Sequence, residues 1–140
     1  MKKFLLLAAL FSVFTLSAKP RIDRAEPLCW WTEMNCPLTL MLHGEDLADA
    51  QVTIQQLHNG KPVKGECTGL QVKNQHNAES KNYLFVDLAV NQAGTYRITL
   101  KKGKYTSKVD YTIHTRREGS RDRQGFNSSD MIYLIMSDRF

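Results

Sequence analysis

The chain has 140 residues, a formal charge of +5 and a pI near 9.2. Its basic residues are scattered rather than gathered on one stripe, so the surplus charge describes a solvated surface and not a nucleic-acid footprint. Three cysteines and four histidines (His43, His58, His76 and His114) without paired ligand spacing exclude a zinc module, and the histidines read as surface or turn residues.

Met1-Lys2-Lys3 is a short basic start, Phe4 to Leu16 is largely apolar, and Ser17-Ala18 supplies small residues before Lys19. This pattern reads as a secretory signal peptide over residues 1–18, to be set apart from the fold. It is too short for a membrane span, which needs about 20 residues. No cysteine follows Ala18 to carry a lipid, so no membrane association is expected once the leader is cleaved. The expectation is export to the periplasm, the outer surface or the medium. Removing residues 1–18 takes away two lysines and no acid, which leaves a charge of +3 on 122 residues. That length suits one sandwich of about 100 residues with a tail and leaves no room for a second domain.

The remainder alternates with period two. A first strand is predicted near Arg21 to Ala25. Leu38, Leu40 and Leu42 then face one way, with Thr39, Met41 and His43 opposite; Val52 and Ile54 repeat the pattern, and Leu70 and Val72 do so weakly. Leu84, Val86, Leu88 and Val90 form the strongest strand, followed by Tyr96, Ile98 and Leu100 and by Val109, Tyr111 and Ile113. Such alternation specifies sheets with one wet face. Asn59-Gly60-Lys61-Pro62 and Lys102-Gly103-Lys104 read as turns, and the polar stretch Asn74 to Asn82 reads as a loop. About seven short strands at this spacing predict an all-β, immunoglobulin-like sandwich over residues 19–115. Ala93-Gly94-Thr95-Tyr96 fits either a tyrosine corner, with its hydroxyl returned to the backbone, or an ordinary core tyrosine.

Two stretches attract functional attention. Cys29 and Cys36 bracket Trp30-Trp31, and in an oxidising compartment either a tight disulfide loop or two thiols would suit them, with Cys67 unpaired in both cases. Adjacent side chains in an extended segment point opposite ways, so one tryptophan is expected in the core and the other free for a sugar ring or a domain interface. From Thr115 to Ser129 the composition turns charged and aperiodic, which reads as a linker over 116–129. Residues 130–140 then carry an apolar run, Met131 to Met136, of the kind buried on both faces of a sheet.

Ser128-Ser129-Asp130-Met131-Ile132-Tyr133-Leu134-Ile135-Met136-Ser137-Asp138-Arg139-Phe140 resembles the opening of the catalytic barrel in the α-amylase family of glycoside hydrolases, within the secreted cyclomaltodextrinase and neopullulanase group. Those enzymes carry an N-terminal β-sandwich, then a strand of the form Val-Ile-Tyr-x-Ile-Met-Pro-Asp-Arg-Phe; Ser137 replaces the proline here. Trp30-Trp31 and His43-Gly44-x-Asp46-Leu47 carry a weaker likeness upstream. The resemblance implies an orphan first strand of a (β/α)8 barrel at 130–140, and a sandwich that supports the barrel and shapes a substrate cleft or a dimer contact. Its implied partners are that barrel and an α-glucan or cyclomaltodextrin. It implies no cofactor in this chain, since the family's usual calcium loop lies beyond Phe140.

Glycoside hydrolysis needs two carboxyl groups across the scissile bond, about 5 Å apart for retention. In this family they stand on later barrel strands, so the chain alone is expected to be inactive. The carbohydrate or interface candidates are Trp30, Trp31, Tyr133, Asp138 and Arg139. The competing class is a free-standing exported binding or adhesion module whose apolar tail adds a strand to a neighbour's sheet edge.

Overall fold

Period-two alternation becomes nine strands in the computed structural model, which describes residues 19–135. They are β1 (Arg21–Glu26), β2 (Trp30–Trp31), β3 (Leu38–Glu45), β4 (Gln51–His58), β5 (Lys61–Pro62), β6 (Leu70–Asn77), β7 (Tyr83–Val90), β8 (Gly94–Lys102) and β9 (Tyr105–His114). Seven of these run six residues or more, matching the count expected from the sequence. The signal-peptide reading for residues 1–18 lies outside the described residues, as do Met136, Asp138 and Arg139.

The strands form two sheets, ordered β1-β3-β7-β6 and β2-β9-β8-β4-β5. In immunoglobulin lettering these are A-B-E-D and A′-G-F-C-C′, with β2 parallel to β9 and the β8–β9 hairpin antiparallel. The strand order itself makes the fold immunoglobulin-like. Inward residues of both sheets meet as predicted: Leu40, Leu42, Leu84, Tyr96 and Leu100 are fully buried, with Ile98 beside them. Two-residue turns close the β4–β5 and β8–β9 hairpins, and in the first Asn59 and Gly60 both take positive φ (50° and 76°), the conformation that suits the right-handed strand twist.

The tyrosine corner is present. Tyr96 Oη donates to the Gln92 carbonyl at 2.7 Å, and the amides of Asn91 and Gln92 both donate to Gly69 O. A Cβ on Gly69 would run into the Tyr96 hydroxyl, which is why glycine stands there.

Lys61 and Pro62, read as part of a turn, pair with His58 and Leu57 as β5, and a longer segment also differs from its sequence reading. Residues 74–77 belong to strand β6 and not to a loop. Their alternation is invisible because β6 is an edge strand with a bulge between Val72 and Asn74, and polar side chains tie it to the opposite sheet. Gln75 accepts from Val52 N and donates to Ala50 O, while Asn77 exchanges bonds with Asp49.

The described tail, 131–135, forms no strand and is exposed from Met131 to Ile135. A strand needs a neighbour's N–H and C=O groups, and among the described residues none pairs with this run.

Candidate functional site

The Trp30-Trp31 pair lies at the end of the sandwich where the last strand finishes. β2 pairs with β9 in parallel, Trp30 opposite Ile113 and Trp31 opposite His114. The pleat sends the two indoles apart. Trp30 is half-buried against the core, whereas Trp31 is 40 % exposed and lies over His114, with ring centroids 6.0 Å apart. One tryptophan inward and one outward is what the extended segment predicted.

The loop after β2 is shaped by Glu33, whose φ of 58° is left-handed. Thr32 N donates to His114 O at 2.9 Å, closing the loop onto the end of β9. Between this loop and the facing ends of β6 and β7 is an open cleft of about 390 Å³, lined among others by Trp31, Met34, Asn35, Lys73 and Val90. A second, shallower cleft shares Glu33 and Val90 with it and extends to Gln92 and Thr115. Met34 is half-exposed and Leu28, just ahead of β2, stands largely in solvent.

Of the residues lining these two clefts, Glu33 alone is a carboxylate. Hydrolysis with retention needs a pair about 5 Å apart, and the described lining of these two clefts supplies one. Among the described residues no three His, Cys, Asp or Glu side chains gather as a cation site.

All three cysteines are free. Cys29 and Cys67 are half-buried and Cys36 is exposed, so the Cys29–Cys36 bridge is not formed in this structure. Their loop is closed by other means, the Thr32 amide and Glu33's turned backbone. Cys67 Sγ instead donates to Leu70 O at 3.4 Å. The Tyr111 hydroxyl is buried with no hydrogen-bond partner among the described residues, and burial, with Cys29 nearby, raises its pKa.

Tyr133 is exposed on the tail, and Asp138 and Arg139 lie outside the described residues, so of the five candidates the structure joins only Trp30 and Trp31. Two partners escaped the sequence reading. His114 is exposed, as its surface reading expected, but its place under Trp31 was not foreseen, and Arg116 was read as linker charge, because both meet the tryptophan loop only through pairing across more than 80 residues.

Among solved structures, the titin M3 domain is 11 % identical over 71 % of this chain and 98 % of its own, with a TM-score of 0.42. Titin M4 in a trigonal form is 19 % identical over 73 % and 100 % of the two chains, with a TM-score of 0.39. The Dscam1 Ig7 domain, isoform 9, is 12 % identical over 71 % and 100 %, with a TM-score of 0.36. The immunoglobulin-like assignment rests on the strand order and the tyrosine corner, not on these likenesses. Residues 24–117, from β1 through the end of β9 to Arg116 and Arg117, match the family described as the cyclomaltodextrinase N-terminal domain, and the chain belongs to that family.

Proposed function

We propose that this sandwich is the non-catalytic N-terminal domain of an exported hydrolase of α-glucans or cyclomaltodextrins, and that residues 130–140 open its catalytic barrel. The observation that carries this reading is the family membership over residues 24–117. The exposed apolar run Met131 to Ile135 supports it, because such a run calls for cover on both faces. On this reading Trp31 and Met34 face either the barrel or bound glucan. Calcium, where the enzyme uses it, belongs to a loop after Phe140.

The test is the coding sequence beyond Phe140. It should continue into alternating strands and helices bearing two catalytic carboxylates, and the longer product should hydrolyse cyclomaltodextrin or linear α-glucan. A stop codon followed by unrelated sequence, or an extended product inert on both substrates, would sink the proposal. Export is checked by N-terminal sequencing of the mature protein, which should begin at Lys19. Titrating maltoheptaose while following tryptophan fluorescence tests the sugar contact: a saturable change that Trp31→Ala abolishes supports it, and no change removes it.

The same exposed run is the one feature that favours a second reading, a free-standing module that donates its tail as a strand. Defined dimers or short chains of residues 19–140 would favour it.

A further inference from the structure

We propose that Arg116 is a latch that fixes the direction in which the chain leaves the sandwich, making residues 115–122 a rigid extension of the domain. Composition alone makes this stretch a flexible linker; the geometry opposes that. Arg116 is half-buried just past the end of β9 and bonds in three directions. Its amide donates to Thr32 Oγ1 at 3.4 Å, its Nη1 donates to the Glu33 carbonyl at 2.8 Å, and its Nε donates to Ser120 Oγ at 3.0 Å. The left-handed backbone of Glu33 presents that carbonyl to the guanidinium.

The residues that follow fold back on this anchor. Ser120 N donates to Arg117 O at 3.1 Å and Asp122 N to Gly119 O at 3.3 Å, with Gly119 supplying the positive φ of 68° between them. Arg121 Nη2 lies 3.8 Å from Glu33 Oε2, so the far end of the turn also leans on the tryptophan loop. Arginine suits the role in a way lysine does not. Its planar fork spaces two nitrogens to reach separate acceptors at once, one on the sandwich and one on the exit turn, where the three donors of an ammonium all radiate from one nitrogen on a flexible stem.

The consequence concerns the coupling of the sandwich to whatever follows. A free linker over 116–129 behaves as a coil whose reach grows with the square root of its length. Latching residues up to 122 halves the free length, which shortens the reach by a factor of about 1.4 and raises the local concentration of the joined bodies by about threefold. The latch is made entirely of this chain's own residues and holds whether or not a barrel follows.

Backbone order parameters of residues 19–140 by NMR, at a concentration where light scattering shows the monomer, test it. In the unmodified chain, residues 115–122 should approach the rigid value of about 0.85 and the residues from 123 onward should fall below about 0.6. Arg116→Gln should drop 115–122 below about 0.6 while β9 stays rigid, Arg116→Lys should lie between, and Thr32→Val should loosen residue 116. A segment already below about 0.6 in the unmodified chain, or one equally rigid in Arg116→Gln, would overturn the latch.

Discussion

Tyr96 is completely buried, yet its phenol is satisfied by the Gln92 carbonyl at 2.7 Å, and Gly69 packs against that oxygen. Tyr96→Phe keeps the ring and loses the bond, for an expected cost of about 0.5–1.5 kcal/mol. In a domain of this size each kcal/mol is read as roughly 4–8 °C in thermal midpoint. Gly69→Ala places a methyl where the hydroxyl sits and should cost about 1–3 kcal/mol by overpacking. Because both changes act at one contact, the double variant should be less destabilised than the two separately, by at least about 0.5 kcal/mol. Strictly additive losses would show that the corner is not the shared cause. A second residue, Asp87, governs acid behaviour on the outer face of the same sandwich. Its carboxylate accepts from Thr39 Oγ1 at 2.7 Å and bonds His76 Nε2 at 2.7 Å, and these bonds, Thr39's first, hold it below the usual carboxylate range. A carboxyl depressed on folding contributes stability above its unfolded value, about 3.9, and loses it as pH falls through the folded one. Asp23 and Asp110 are lowered in the same sense by bonds from Arg21 and Arg97. Denaturant midpoints should therefore drop as pH falls below about 4, and Asp87→Asn should flatten that drop without abolishing it. An unchanged slope in the variant would remove Asp87 from the account.

At the scale of strands, legibility followed how each one buries its inner face. β3, β7, β8 and β9 bury theirs with leucine, isoleucine, valine and tyrosine, so a period of two was visible in the chain. β6 was not visible beyond Val72, since Gln75 and Asn77 close that edge with hydrogen bonds to the opposite sheet and carry no apolar signature. β2 could be read only as two indoles pointing apart; its partner is β9, and no local pattern reveals a two-residue parallel pairing. The tryptophans were thus legible as candidates, while His114 and Arg116 became part of the site only once β9 lay beside β2. Glycine 44 marks another non-local constraint. It faces β1 at a register shift between Ile22 and Arg24, and a Cβ there would meet the Arg21 carbonyl, which is backbone and cannot swing aside. Gly44→Ala should therefore lift β1 from β3, at a cost of about 1–3 kcal/mol. Amide exchange should accelerate at Ile22 to Ala25 while Leu84 to Leu88, on the other side of β3, remain protected. Equal acceleration in both strands would mean that the whole sheet, not the β1 edge, bears the strain.

For the molecule as a whole, the core and the exposed run are separate bodies of apolar surface. Among the described residues every fully buried large side chain lies between Leu38 and Ile113, in the two sheets or, for Leu47, in the connection from β3 to β4. Phe126 and the run from Met131 to Ile135 contribute nothing to that core and stand in solvent. Stability and association should therefore respond to different parts of the chain. Residues 19–122 keep both sheets and the Arg116 contacts, so their thermal midpoint should fall within about 2 °C of that of residues 19–140, a shift smaller than 1 kcal/mol would cause in such a domain. Their behaviour in concentrated solution should differ sharply. An uncovered apolar segment of strand-forming composition pairs with other chains, so residues 19–140 should associate as concentration rises and residues 19–122 should stay monomeric. Light scattering on matched samples separates the outcomes. A midpoint more than about 5 °C lower for residues 19–122 would show that the tail contributes roughly 1 kcal/mol to the fold, contrary to its exposure. Equal association of the two lengths would place the sticky surface elsewhere, at Leu28, Trp31 and Met34 on the end where the chain leaves the sandwich.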